Sequence, residues 1–180
     1  HNVVTIARLL KDTGYHTNMT GKWHLGYEDP SLMPSNRGFE QTVIMPFSGG
    51  DNWTQQSYIP HYQKTLWFEN GKEITLPEDF YSSEFIVDRM ISYLDSDKQS
   101  SQRRPFFSYL AFQAIHIPVQ APREITDTYN GVYDQGWHSM RKKRHQRAIA
   151  LGLIAADTPL AAMPAKSKKW ENLSPKQRAL

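Results

Sequence analysis

The sequence predicts an α/β fold, a sheet with helical crossovers, from three observations. Apolar residues at helical spacing near the start run straight into a β-rich segment. A second amphipathic stretch in the middle is followed by an almost unbroken apolar run. Both strand-like segments then leave into polar sequence that carries lysine or histidine. The chain has 180 residues, of which 39% are hydrophobic and 12% aromatic, enough for one domain of ordinary size with a buried core.

Taken in order, Val3, Ile6, Leu9 and Leu10 predict a short helix from about Val3 to Lys11, stopped at Gly14. Tyr15 to Thr20 alternates and predicts a strand that enters a turn at Gly21. From Tyr27 to Pro77 the text is rich in Pro, Gly, Asn and aromatics and reads mostly as loop. One hairpin is expected there, pairing Leu66-Trp67-Phe68 with Glu73-Ile74-Thr75 across Asn70-Gly71. Ser82 or Ser83 is placed to cap a helix with Ile86, Met90, Tyr93 and Leu94 on its apolar face, fading into the polar run Asp95 to Arg104. Pro105 opens Phe106 to Phe112, the pattern of a central strand covered on both faces. Beyond Pro122 a basic helix from about His138 to Leu151 stops at Gly152, and Ser174-Pro175 begins another. These elements do not fix the strand order.

Composition excludes several functions. No cysteine is present, so these residues offer no disulfide, thiolate metal site or cysteine nucleophile. No apolar stretch approaches the roughly 20 residues that cross a bilayer. The net charge of +3 is concentrated in Arg141-Lys142-Lys143-Arg144 and the tail; that run lacks interleaved aromatics and reads as a solvated helix face, not a nucleic-acid surface. Asn18-Met19-Thr20, Asn52-Trp53-Thr54 and Asn172-Leu173-Ser174 have glycosylation spacing, but Asn18 falls in a strand and Pro175 follows the third. Trp53, Tyr58, Tyr62, Trp67 and Phe68 suit either core packing or a pocket for an aryl or sugar group.

Ligands in open α/β sheets bind beyond the carboxyl ends of the strands. The first strand ends at Lys22 and His24, whose alternation in extended backbone would send both side chains the same way, with Trp23 turned inward. The second ends at His116, in Ala114-Ile115-His116-Ile117-Pro118. An ammonium and two imidazoles at one crevice suit a tetrahedral oxyanion, because each donates to a different oxygen, and a histidine also moves a proton near neutral pH.

Gly14-Tyr15-His16-Thr17 followed by Thr20-Gly21-Lys22-Trp23-His24-Leu25-Gly26 is similar to the second signature of the sulfatases. Pro34, Arg37-Gly38-Phe39-Glu40, Leu76-Pro77 to Tyr81-Ser82, Pro105-Phe106-Phe107 to His116-Ile117-Pro118, and Gln120-Ala121-Pro122 follow arylsulfatase order. Tyr133-Asp134-Gln135-Gly136-Trp137 through Leu151-Gly152-Leu153-Ile154 resembles bacterial arylsulfatases, so the resemblance covers nearly the whole chain. It implies part of an alkaline-phosphatase-like fold, a central mixed sheet flanked by helices, with residues 1–180 as the central portion of a catalytic domain incomplete at both ends. It also implies hydrolysis of a small-molecule sulfate ester in a periplasmic or secreted setting, with no nucleic-acid or membrane partner. By the match, Lys22 contacts sulfate oxygens, His24 orients or deprotonates the formylglycine diol, and His116 binds sulfate and protonates the leaving alcohol. Ser48, in Pro46-Phe47-Ser48, resembles a sulfate-contacting serine of some arylsulfatases.

The departures from the family are as informative. The cysteine- or serine-based motif that becomes formylglycine does not occur, and the aspartates that hold the family's calcium ion are not matched, so no metal ligand is assigned here. Asp51-Asn52 reads as an Asx turn in preference to a substitute metal pair. The chain is therefore expected to be inactive alone. Two alternatives stay open: a non-catalytic anion-binding or interaction domain, and a phosphate or phosphonate monoester hydrolase of the same superfamily. The ester's organic half and the oligomeric state are not legible in the sequence.

Overall fold

The computed structural model describes residues 3–99 and 103–178, so residues 100–102 of the expected polar run lie outside the described residues. The chain divides into two compact units, His1–Gln120 and Ala121–Leu180.

In the first unit, helix α1 spans Ile6–Asp12 and begins later than the spacing predicts, because the Thr5 side chain accepts from the Arg8 amide at 3.1 Å and caps it. The expected apolar stripe does not pack: Val3, Ile6 and Leu9 are exposed and Ala7 is the buried residue. Gly38 lies against this helix so closely that a Cβ there would sit 2.3 Å from the Arg8 nitrogen, and its φ of 106° is a left-handed value that favours glycine.

Strand β1 (His16–Lys22) is buried along six of its seven residues. Strand β2 (Gln41–Met45) falls inside the stretch expected to be loop. Thr42-Val43-Ile44-Met45 is a short apolar, partly β-branched run cut off by Pro46, and the surrounding Pro and Gly hide it. Strands β3 (Phe68–Glu69) and β4 (Lys72–Glu73) form the expected hairpin. Asn70 and Gly71 both have positive φ, 49° and 83°, as a two-residue turn of matching twist requires. Helix α2 (Ser82–Gln99) buries Ile86, Met90 and Tyr93 as predicted. The Ser82 hydroxyl, however, donates to Asn52 Oδ1 at 2.5 Å instead of serving the helix end.

Strand β5 (Phe106–Ala111) completes a mixed five-stranded sheet of order β4-β3-β2-β1-β5. The β1–β2 and β1–β5 pairs are parallel, while β2–β3 and β3–β4 are antiparallel. The expected central strand is therefore an edge strand among the described residues, with Phe106 and Tyr109 about half exposed; the middle strand is β2, and β1 lies between it and β5. A continuous apolar run signals burial of both faces, but here β5 has a partner on one side only.

Successive residues of β2 point to opposite faces and seed two cores. Ile44 packs with Ala7, Met19, Trp23, Met33 and Phe39. Met45 packs with Trp67, Phe80 and Ile86. Helices on the two faces thus clamp the strands whose ends carry the candidate site.

The second unit holds α3 (Arg123–Asp127), α4 (Gly136–Ala150) and α5 (Pro175–Arg178). The basic helix forms where expected, and Gly152 follows its cap with φ 67°. Trp137 and Trp170 meet edge to face at 5.2 Å. Lys142, Lys143, Arg144 and Arg147 are exposed, the arrangement of a solvated face.

Candidate anion site at the carboxyl edge of the sheet

Because β1, β2 and β5 run parallel, their carboxyl ends open on one edge. The register pairs Lys22 with Met45 and Gly21 with Ala111. Ser48 lies three residues past Met45, and His116 lies five past Ala111. Topology alone therefore starts the segments that carry Ser48 and His116 from the edge where Lys22 ends β1.

Strands β1 and β5 come unusually close there. A Cβ on Gly21 would sit 2.1 Å from the Ala111 carbonyl oxygen, and the residue's φ is 103°. Lys22 is half-buried, and its Nζ donates to Ser48 Oγ at 3.0 Å; Ser48 itself is buried. A buried hydroxyl held by an ammonium leaves the remaining N–H groups of Lys22 free to bind an anion.

Trp23 turns inward as expected: it is 8% exposed and its Nε1 donates to the Leu32 carbonyl at 2.8 Å. The alternation stops there. β1 ends at Lys22, and His24 has a left-handed φ of 57° while its amide donates to the Pro46 carbonyl. Such a conformation costs a non-glycine residue on the order of 1–3 kcal/mol and gathers at functional sites. The exposed His24 side chain lines a pocket of about 250 Å³ with Tyr27, Leu32, Phe47 and Tyr62. Phe47 stacks on Tyr62 at 4.2 Å, and Tyr27 lies 5.2 Å from Phe47. Partial burial, then the neighbouring Tyr62 and Glu28, push the Tyr27 phenol above its ordinary range. Of the aromatics picked from the sequence, Tyr62 lines this pocket while Trp67 belongs to the core.

His116 is exposed, and its Nδ1 meets only the adjacent Ile117 carbonyl, at 2.8 Å. Among the described residues no hydrogen bond links it to Lys22, His24 or Ser48. The edge thus has a built half, Lys22 with Ser48, and an open half at His116.

Asp51 and Asn52 form the expected Asx turn. Asp51 Oδ1 accepts from the Trp53 and Thr54 amides at 2.9 and 3.0 Å, and its Oδ2 accepts from Gln120 Nε2 at 2.7 Å. Burial opposes ionisation of Asp51, but the hydrogen bonds from Gln120, Trp53 and Thr54 outweigh it and hold the carboxyl below its usual value. Asn52 is buried with its Nδ2 donating to Gln120, so it is closed to glycosylation in this fold. Among the described residues no group of three or more His, Cys, Asp or Glu could hold a metal ion.

A larger cavity, about 640 Å³, opens at the opposite, amino end of the strands beside Asp97, Arg104 and Phe106. Its Asp97 and Arg104 are already paired. His16 Nδ1 lies 3.2 Å from Asp97, which also accepts from Asn18 and Gln41, and Arg104 reaches Glu40 at 3.2 Å. That pairing marks a structural network, and the smaller carboxyl-edge pocket is the better ligand site.

The fold and this edge define an α/β protein with a lysine–serine pair at the carboxyl ends of its parallel strands. The chain belongs to the sulfatase family, which it matches over residues 1–171. It is 39% identical to an arylsulfatase of Klebsiella aerogenes over 98% of its own length and 37% of that protein's. It is 32% identical to an uncharacterised sulfatase of Schizosaccharomyces pombe, over 98% of this chain and 32% of that one. The chain thus spans about a third of the length of either relative. Among solved structures, it is similar to Ps i-CgsB in complex with k-i-k-neocarrahexaose, with a TM-score of 0.57 and 30% identity over 69% of this chain and 29% of that one. It shares its fold with BT4656 in complex with D-glucosamine-2-N,6-O-disulfate, with a TM-score of 0.51 and 24% identity over 73% of this chain and 23% of that one.

Proposed function

We propose that residues 1–180 are the central portion of a sulfatase catalytic domain that hydrolyses a small aryl or sugar sulfate ester. The observation that carries this is the Lys22 Nζ to Ser48 Oγ bond of 3.0 Å at the strand edge, with His24 beside it on a ring-sized pocket. Lys22 binds the sulfate oxygens and offsets the charge that grows on them in the transition state. Ser48 holds that ammonium in place and gives a hydroxyl to the same anion. His116 protonates the departing alcohol oxygen, for which its exposed ring is free. His24 orients the attacking group, and the aromatic pocket takes the organic half of the ester.

The family's formylglycine supplies the attacking oxygen from outside these residues. Among the described residues Asp51 and Asn52 do not offer donors to the family's calcium ion, because their side-chain oxygens are all taken up by hydrogen bonds. Periplasmic or secreted localisation belongs to the same proposal, and fractionation of the source cells tests it.

Turnover of paired sulfate and phosphate monoesters by the complete polypeptide tests the reaction. A kcat/KM higher for the sulfate supports it. A preference for phosphate or phosphonate establishes the sister hydrolase, which needs the same anion geometry. No turnover of any ester, with a coding sequence that encodes neither nucleophile motif nor calcium aspartates, establishes an anion-binding domain.

A further inference from the structure

Asn52 uses all of its polar groups. Its amide and its Nδ2 donate to Gln120 Oε1 at 3.0 and 3.1 Å. Its Oδ1 accepts from Ser82 Oγ at 2.5 Å and from Gln113 Nε2 at 2.7 Å, and its carbonyl accepts from the Ser82 amide at 2.8 Å. The residue is 2% exposed, Ser82 is 1% and Gln113 is 8%. A fully satisfied buried network of this kind fixes geometry, because breaking any member strands the others without water.

The network's position matters more than its burial. Gln113 and Gln120 are the two stems of the loop that carries His116. Between them Ile115, Ile117 and Val119 are 89%, 68% and 77% exposed, so their side chains do little to anchor the loop. The His116 amide hangs from the Gln113 carbonyl at 2.8 Å. Asn52 itself lies four residues past Ser48, in a segment pinned by the Gly50–Ser57 bridge. One side chain thus ties both stems of the open half to the segment that carries the built half.

We infer that Asn52 is a positioning residue that sets His116 against the Lys22–Ser48 pair. The inference rests on the sulfatase reading of those residues. Asn52 touches no substrate; it acts through His116. Removing its side chain loosens both stems together, leaving Gln113 its bond to Ser82 Oγ and Gln120 its bonds to the Asn52 amide and to Asp51 Oδ2, and a displacement of about 1 Å in a catalytic group lowers turnover by about 10²-fold.

A double-mutant cycle in the complete polypeptide tests this. Asn52→Ala is expected to lower kcat for a sulfate ester by about 10²-fold while KM changes less than about threefold, since Lys22 and Ser48 stay in place. Asn52→Ala combined with His116→Ala should be no slower than His116→Ala alone, within about threefold, because both changes remove one function. Multiplied losses would refute the positioning role, as would an unchanged kcat for Asn52→Ala. Should Asn52→Ala fail to fold, Gln120→Ala frees one stem alone, with an expected loss of about tenfold and the same non-additivity with His116→Ala. Additive losses there refute the role equally. A wild type that turns over no sulfate ester fails the sulfatase reading itself, and the inference falls with it; that outcome differs from additivity in an active enzyme.

Discussion

The ends of β1 and β5 reach the same edge of the same sheet and are built in opposite ways. β1 is a buried interior strand with a partner on each side, and its terminal Lys22 is half-buried and bonded to the buried Ser48. Among the described residues β5 is an edge strand, and beyond it the exposed His116 ring has no hydrogen-bond partner but its neighbour's carbonyl. The difference suits the roles proposed for each. A cation that binds an anion gains from partial desolvation and a fixed direction, because its attraction grows as water is excluded. An imidazole that delivers a proton needs access to the leaving group. Rigidity at one strand end and openness at the other, joined through Asn52, is the arrangement the sulfatase reading requires.

That contrast can be broken from the built side first. Lys22→Ala in the complete polypeptide should lower kcat/KM for a sulfate ester by about 10³-fold, some 4 kcal/mol of transition-state stabilisation, while the lost bond to Ser48 costs only about 1 kcal/mol of stability. A loss under tenfold would mean that the buried half does not carry the anion. Gly21→Ala attacks the geometry beneath it. Its Cβ would meet the Ala111 carbonyl at 2.1 Å in a left-handed conformation, so the strands must part. A destabilisation of about 3 kcal/mol is expected in urea titration. A value below about 1 kcal/mol would show that β1 and β5 are not held as closely as their register implies.

The smallest effect sharpens the link between the halves. Asp51→Asn should cost about 1 kcal/mol at neutral pH, through weakened bonds to Gln120, Trp53 and Thr54. The folded carboxyl titrates below its unfolded value, so its contribution is complete above about pH 4, the ordinary aspartate range, and is lost as pH falls through the lower folded value. The difference between wild type and variant in thermal unfolding should therefore shrink below about pH 4. A constant difference down to pH 2 would contradict the assigned hydrogen bonds.

The sequence made some of this legible and hid the rest for identifiable reasons. The Asn70-Gly71 hairpin and the inward Trp23 were readable because turn chemistry and strand alternation are local. β2 was not, since five residues bounded by Glu40 and Pro46 carry too little periodicity against a background rich in Pro and Gly. The placement of β5 at an edge depends on what pairs beside it, which a strand's own residues do not encode. Lys22, His24 and His116 stood out as cations at strand ends. Ser48 came from resemblance alone. Asn52, Gln113 and Gln120 gave no signal as a unit, because isolated amides in a loop look alike until the fold gathers them over sixty residues of separation. The orientation of His24 failed for a backbone reason, the left-handed φ at its own position.

The claim that Lys22, Ser48 and His116 form one anion site is tested most directly by titrating inorganic sulfate into the complete polypeptide while following the Lys22 ammonium and the His116 imidazole by NMR. Both signals should shift along one saturation curve, and both shifts should disappear in Lys22→Ala. Shifts with different midpoints, or a His116 response that survives Lys22→Ala unchanged, would contradict a shared site.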